Sequence, residues 1–496
     1  MKKITFIPAI LLSFFFLSCT KKTAGDVLRM NVSSEPDTFF PWESAAADTA
    51  AIYYNIFDGL FSFDERGAIH PALCVSYEIS SDELTYTFRL REGVKFHNGA
   101  DFSSADCVYT YENLAGLNGH TVYSDMMASS IESVSAPDAG TFVVTLKQPA
   151  GGFLALNILP ILPVGYTNHA EHPIGTGAYK FVEYQLHQKV VLEKNEDYWN
   201  SENIPSIPRV EIYVMSDENA ILSAMQSRQL DVAQMVSPEN AAAMGSGFQL
   251  FSAPQNMVQI LGLNNSVAPL DNPLVRQAIT QAIDKDEIIQ GAMGGFGTKL
   301  YSNFSPILGA YYNDQLSEIF PHDVEAAKNA LAEAGLPDGF DLTITVPGNY
   351  QTHVDTAQII ANQLAKIGIN CKIQTVEWTT WLDQVYTRFD YEATVIAFGG
   401  KLEPSEVLRR YFSSYKRNFT RYNNPEFDEI FKKAETETNT ERRADYYKLC
   451  QELLTKSAPA VFIADPNNTV LLRKDVRGYD VYPVLFYNFA KMRFEE

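Results

Sequence analysis

A chain of 496 residues is long enough to divide into at least two domains, each with its own core. Its 60 acidic residues against 39 basic ones give a formal net charge of -21, which excludes the basic footprint that nucleic-acid binding needs. Beyond Ser18 no apolar stretch is long enough to span a membrane.

The chain opens on Lys2 and Lys3, then runs almost unbroken in apolar residues from Ile4 to Leu17. That run is short for a membrane-spanning helix and lacks a stop-transfer flank, so residues 1–18 read as a signal peptide. Phe16-Leu17-Ser18-Cys19 closes it, and a small residue before a lone cysteine at this place resembles the lipobox of bacterial lipoproteins. The resemblance implies diacylation of Cys19 and a mature chain that begins there, held stably on a membrane by two or more acyl chains. Phe16 and Leu17 depart from the usual Leu followed by a small residue; cleavage near Ala24-Gly25, with a freely soluble product, is the alternative. Loss of residues 1–18 removes two lysines and no acid, so the formal charge of -21 becomes -23.

Strand-like runs crowd the first half. Tyr86, Phe88 and Leu90 alternate with Thr87 and Arg89, and Phe142, Val144 and Leu146 repeat the pattern, as half-buried antiparallel strands do. His97-Asn98-Gly99 is a turn signal after a short strand, Val94 to Phe96. Ser103 and Asp106 mark a capped helix start, and Cys107, Val108, Tyr111 and Leu114 then share one face, which makes Cys107 a core residue. A further strand is expected at Val210 to Val214, then a helix from about Asp217 to Gln229 and an apolar run from Leu230 to Val236.

In the second half, helix-length segments alternate with short apolar runs, the texture of a sheet with helices on its faces. Asp323 caps a helix bearing Ala327, Ala330, Leu331 and Ala334 that stops at Gly335. Leu342 to Val346 reads as a strand, Val354 to Ile367 as a helix and Ile369 to Val376 as a strand. A short helix near Thr379 to Arg388 follows, then a strand at Ala393 to Phe398. Helices around Glu426 to Glu437 and Glu441 to Lys456 precede a last run, Pro459 to Ala464. The expected class is α/β, with no internal repeat, low-complexity tract or extended linker.

Chemistry-bearing motifs are sparse. Cys74, Cys107, Cys371 and Cys450 form no CxxC pair. Gly175-Thr176-Gly177-Ala178-Tyr179 lacks the third glycine of a dinucleotide loop and reads as a tight turn at the surface. His169 and His172 lack HExxH spacing and a third ligand, so they read as an exposed loop pair; no metal or cofactor is expected. GxSxG is absent, and nothing assembles a nucleophile with its base, which leaves a secreted hydrolase the weakest reading and a non-enzyme the expectation.

Three longer blocks carry a resemblance. Tyr77 to Leu114, containing Leu90-Arg91-Glu92-Gly93-Val94-Lys95-Phe96-His97-Asn98-Gly99, Pro173 to Trp199, and Asn264 to Ile289 are similar to the family 5 solute-binding proteins. These are the oligopeptide, dipeptide and nickel binders of ABC importers. Weaker echoes are Glu35-Pro36-Asp37-Thr38, Asp58-Gly59-Leu60 and Leu364-Ala365-Lys366-Ile367-Gly368, so ordered matches cover nearly the whole mature chain. The resemblance implies a two-lobe periplasmic-binding-protein fold of class II type, with an extra subdomain on the first lobe. Residues 24–59, 170–258 and 468–496 would form the first lobe, 60–169 the extra subdomain and 259–467 the second lobe. Crossings near Val258 to Leu263 and Pro466 to Val470 would form the hinge. The implied protein is an extracytoplasmic, lipid-anchored receptor that closes on a peptide and delivers it to permease and ATPase subunits, acting as a monomer.

The resemblance also implies where the ligand sits. Glu377-Trp378-Thr379-Thr380-Trp381 would border the cleft, although Trp378 and Trp381 equally suit a helix core. In Phe398-Gly399-Gly400-Lys401-Leu402-Glu403-Pro404, Phe398 replaces the family's Trp and Gly400 or Lys401 replaces the Asp that pairs with a peptide's α-amine. A lysine repels an ammonium, so Glu403 is the candidate substitute. The family's carboxylate-binding Arg falls near His353 or Val354, and neither supplies a guanidinium fork. Candidate ligand-binding residues are thus Trp378, Trp381, Phe398, Gly399, Gly400, Lys401 and Glu403. A longer peptide held by its backbone, a peptide held by other residues, and a non-peptide solute such as an oligosaccharide or metal chelate all remain open. So does a surface sensor or attachment protein of the same fold.

Overall fold

The computed structural model describes residues 27–44, 46–234 and 236–495; the signal-peptide and Cys19 expectations lie outside them. A 12-stranded sheet runs through the molecule. In one half, strand Val27–Val32 lies parallel to both Arg209–Val214 and Val232–Gln234, and antiparallel strands Lys189–Lys194 and Tyr179–Gln185 extend the edge. In the other half, Asp341–Pro347 lies between parallel neighbours Asn370–Val376 and Ala393–Gly399, and Met257–Leu263 runs antiparallel beside the latter.

One strand belongs to both halves. Ala460–Arg473, 14 residues long, pairs first with Met257–Leu263 and then with Val232–Gln234 and Phe248–Pro254. The sequence shows only its first part as a strand, because Asp465 to Thr469 is polar. That stretch is polar for a structural reason. Asp465 is buried, and its carboxylate accepts the backbone N–H groups of Gln255, Asn256 and Met257 at 3.3, 3.0 and 3.1 Å. Burial pushes its carboxyl up to about 6, against the pull of Ser305 and those three N–H donors. Asn256 adopts a left-handed φ of 59° between the two strands that it joins. The two chain crossings are therefore knotted together by a single carboxylate.

A separate four-stranded antiparallel sheet orders Cys74–Ile79, Thr85–Leu90, Thr141–Leu146 and Ile131–Asp138. Tyr86, Phe88, Phe142, Val144 and Leu146 are buried as the alternation requires, and they share one core with Leu28, Met30 and Val470 of the large sheet. Helix Ser104–Ala115 packs on this sheet through Cys107, Tyr111 and Leu114, and Asp106 accepts the Ser103 N–H at 2.8 Å to fix its start. The other half of the large sheet is covered on both faces: Leu261 and Val395 point into one cluster, Ile260 and Ile396 into the other. Two-sided burial is why Met257–Leu263 shows no polar alternation and carries only one polar side chain, the buried Gln259.

Most expected elements form within a few residues of their expected bounds, including helices Glu218–Gln226, Val324–Glu333, Gln351–Ala365, Pro425–Thr436 and Thr440–Ser457. The expected helix at Thr379 to Arg388 is instead one α-turn, Trp378–Trp381, continued as a π-helix over Leu382–Thr387. Two loop expectations need correction. Gly175 to Gly177 is buried rather than superficial: a Cβ on Gly175 would lie 2.1 Å from the Ile56 carbonyl oxygen, and one on Gly177 2.5 Å from that of Asn55. Both glycines are required by this close backbone approach. His169 is buried among Phe40, Phe57 and Tyr166, not exposed, and His172 alone lies at the surface. Thr176 and Trp199 both donate to Asp58, at 2.9 and 2.8 Å, which ties three separated sequence blocks into one knot.

Among the described residues Cys74, Cys107, Cys371 and Cys450 are free thiols, no cluster of three metal-ligating side chains occurs, and no helix is long and apolar enough to cross a membrane.

Candidate ligand-binding cleft

Strand Ala393–Gly399 ends where its register with Met257–Leu263 ends, at the pair Gly399 and Met257. The chain then turns away as Gly400-Lys401-Leu402 and re-enters a helix, Pro404–Leu408, capped by Glu403 through the Ser405 N–H at 3.1 Å. Gly400 is pressed on the crossing: a Cβ there would lie 2.1 Å from the Asn256 amide carbon. The Asn256 amide in turn donates to the carbonyls of Lys401 at 3.3 Å and Pro483 at 2.9 Å. One side chain thus fixes the crossing, the post-strand loop and the C-terminal segment Asp480 to Phe486 relative to one another.

These segments enclose a cavity of about 480 Å³. Gly399, Gly400, Lys401 and Arg410 form one wall, Tyr53 and Tyr54 a second, Gln255 and Met257 the floor, and Asp480 to Phe486 the remaining side. A chamber of about 170 Å³ adjoins it and shares Tyr54, Lys401 and Val484, adding Leu156, Leu159, Glu403 and Glu406. The volume falls in the range of pockets that bury small ligands. Another cavity, about 340 Å³ between Trp199 and the Phe61 to Pro71 hairpin, meets the first only across the shared walls Tyr54, Tyr482 and Phe486. It contains nothing of the post-strand loop.

The expected site residues are divided by the structure. Gly399, Gly400 and Lys401 line the large cavity, with Lys401 exposed. Phe398 lies behind Arg410, whose guanidinium covers its ring at 4.2 Å. Trp381 is only 1% exposed, its indole N–H donates to Thr394 at 2.9 Å, and it lines none of these cavities. Trp378 stacks on Trp381 at 5.3 Å, outside the cavities as well. Of the two readings left open for this pair, the geometry is that of packing.

Glu403 reaches inward but is already engaged. Its carboxylate is 3% exposed, forms an ion pair with Arg443 and accepts from the Tyr447 hydroxyl at 3.0 Å. Burial opposes the charge on Arg443, and the Glu403 carboxylate overcomes it, holding the guanidinium above its ordinary value. Glu403 therefore has no charge to spare for a ligand amine. His353 is buried, its ring shares a hydrogen bond with Gln259 at 3.0 Å, and burial pushes its imidazole down to about 4. It is neutral and supplies no carboxylate anchor.

Residues that sequence reasoning missed stand one helical turn further on. Glu406 lines the small chamber and Arg410 the large one. Burial raises the Glu406 carboxyl above its usual range, against the pull of Lys401, and burial lowers Arg410. The i, i+4 spacing behind Glu403-Pro404 was the available signal.

Outside these two chambers, the segment before helix Phe153–Leu156 packs directly on the far side of Glu403. The Gly151 N–H donates to the Glu435 carbonyl at 3.2 Å, and Thr438 donates to Glu83 at 2.6 Å. A Cβ on Gly152 would fall 2.3 Å from the Glu403 carboxyl.

Comparison with known proteins identifies the family. The model of the bacterial extracellular solute-binding proteins, family 5, matches residues 68–419. The chain belongs to this family. Its members are binding proteins rather than enzymes, and they work outside the cytoplasm. The solute-binding protein is 29% identical to heme-binding protein A of Haemophilus influenzae over 465 residues, 86% of this chain and 84% of that one. It is 26% identical to a glutathione-binding protein of Salmonella typhi over 486 residues, 94% of each. Among solved structures it resembles an ABC transporter-associated periplasmic binding protein of Helicobacter pylori in complex with the peptide STSA. That match has a TM-score of 0.80 at 27% identity and covers 95% and 98% of the two chains. The oligopeptide-binding protein of Bacillus subtilis in complex with a nonapeptide matches with a TM-score of 0.77 at 25% identity, over 95% and 99%. The solute-binding protein therefore has the two-lobe periplasmic-binding-protein fold.

Proposed function

We propose that this solute-binding protein is the receptor subunit of an ABC importer, that it takes short peptides, and that Cys19 anchors it to a membrane through lipid. The observation that carries the reading is the cavity of about 480 Å³ enclosed by both strand crossings, the post-strand loop and the C-terminal segment. Peptide-bound structures among the most similar folds support the cargo. Residues 24–59, 170–258 and 468–496 act as one lobe, 60–169 as its extra subdomain and 259–467 as the other lobe. The crossings near Val258 to Leu263 and Pro466 to Val470 serve as the hinge. Ligand contacts both lobes only when they are closed, so binding shifts the population toward the closed form that a permease recognises. The receptor acts as a monomer.

Native mass spectrometry of protein purified without denaturation tests the cargo. A heterogeneous set of co-purified peptides is expected; a single non-peptide mass overturns the reading. A non-peptide solute is the second reading, favoured by the heme-binding relative. Metabolic labelling with a radioactive fatty acid tests the anchor: the label enters the wild type and is lost in Cys19→Ala, whereas an unlabelled wild type contradicts lipidation.

A further inference from the structure

Between Glu403 and Arg410 the charges fall into two sets. Glu403 is paired with Arg443, and Arg409 with Glu435, both partners coming from the helices that pack behind the loop. Glu406 and Arg410, on the same stretch, have no ion-pair partner among the described residues, nor do Lys401 and Asp480 beside them. Glu406 and Arg410 stand one helical turn apart, where opposite charges ordinarily meet. Here they diverge instead. Arg410 is drawn onto the face of Phe398 in the large cavity, and Glu406 points into the small chamber walled by Tyr54, Leu156 and Leu159. Half-buried charges without partners are costly, and a complementary ligand removes that cost. Glu403 also lines the small chamber, but Arg443 meets its charge; the lining charges left over, Lys401 and Arg410 against Glu406 and Asp480, are balanced in sign, so the complement is a neutral zwitterion rather than an anion or a cation.

We infer that Arg410 and Glu406 are the specificity-determining charge anchors of the cleft, taking the carboxylate and the ammonium of a short peptide with free termini. Lys401 lines both chambers, and its flexible side chain must leave Glu406 for the ammonium to enter. The body of the ligand lies along Tyr53, Tyr54 and Val484. An extended dipeptide spans about 7 Å, the scale set by anchors one helical turn apart with diverging side chains. This inference rests on the peptide reading and adds the residues and the requirement for both termini.

The test uses ligand-free wild-type protein, Glu406→Gln, Arg410→Gln and Asp480→Asn, titrated calorimetrically with Ala-Phe, N-acetyl-Ala-Phe and Ala-Phe amide. In the wild type, blocking either terminus is expected to weaken binding about 30-fold or more. Acetylation should cost nothing further in Glu406→Gln, and amidation nothing further in Arg410→Gln. The blocked peptides on wild-type protein give a readout that does not depend on any variant folding. Equal penalties in wild type and in both variants, or coupling of acetylation to Asp480 instead of Glu406, overturn the assignment and leave the peptide reading standing. A wild type that binds none of the three peptides overturns the peptide reading and the anchors with it.

Discussion

At the scale of single residues, buried ionisable groups set how the protein responds to acid. His169 has an unpartnered Nε2 in an aromatic pocket, and burial pushes its imidazole down from 6.5 to about 4. A depressed histidine contributes stability that is present above pH 6.5 and is lost as pH falls toward 4, because the unfolded chain takes the proton first. The full effect is about 3 kcal/mol at most. Asp465 works in the opposite direction: raised to about 6, its carboxyl favours the folded state as pH falls through that value. Thermal midpoints of His169→Phe should therefore depend less on pH between 6.5 and 4 than those of wild type. Parallel profiles would show that this imidazole is not the source. The Glu403–Arg443 pair makes a second prediction. Glu403→Gln strands a buried guanidinium and should cost about 3–5 kcal/mol in denaturant unfolding, while Glu403→Leu with Arg443→Met should recover most of it.

At the scale of elements, the Gly151-Gly152 segment governs how closely two parts of the molecule approach. Gly152→Ala places a methyl group 2.3 Å from the Glu403 carboxyl. It should lower peptide affinity about tenfold or more in calorimetry and also lower the ligand-free thermal midpoint, because the methyl group displaces Glu403 from Arg443. A fall in midpoint with unaltered affinity would assign the glycine to packing alone. The same scale shows what the sequence makes legible. Alternation at Tyr86, Phe88 and Leu90, the cap at Asp323 and the glycine stop at Gly335 state their elements locally, since periodicity and capping are properties of neighbours in sequence. Strand Ala460–Arg473 was half hidden because Asp465 exchanges hydrogen bonds with residues about 210 positions away. The cleft was legible as a loop, Gly399 to Lys401, but not as a charge pattern. Glu403 reads like a ligand residue until Arg443, 40 positions on, is seen to hold it. Arg410 reads like any surface arginine until Phe398 and the cavity surround it.

At the scale of the whole molecule, the two halves of the sheet are joined at the Gln255-Asn256 crossing and along Ala460–Arg473, with Asp465 linking both. A junction this narrow suits hinge motion, and a ligand that bridges Tyr54 and Arg410 would favour the closed arrangement. The central claim is that the cleft between these halves receives the solute. Hydrogen–deuterium exchange on ligand-free protein, with and without saturating Ala-Phe, tests it most directly. The account predicts slowed exchange at residues 399–410, at 480–486 and around Gly151-Gly152, with the four-stranded sheet unaffected. Protection confined to other surfaces, or around the Trp199 cavity alone, would contradict it.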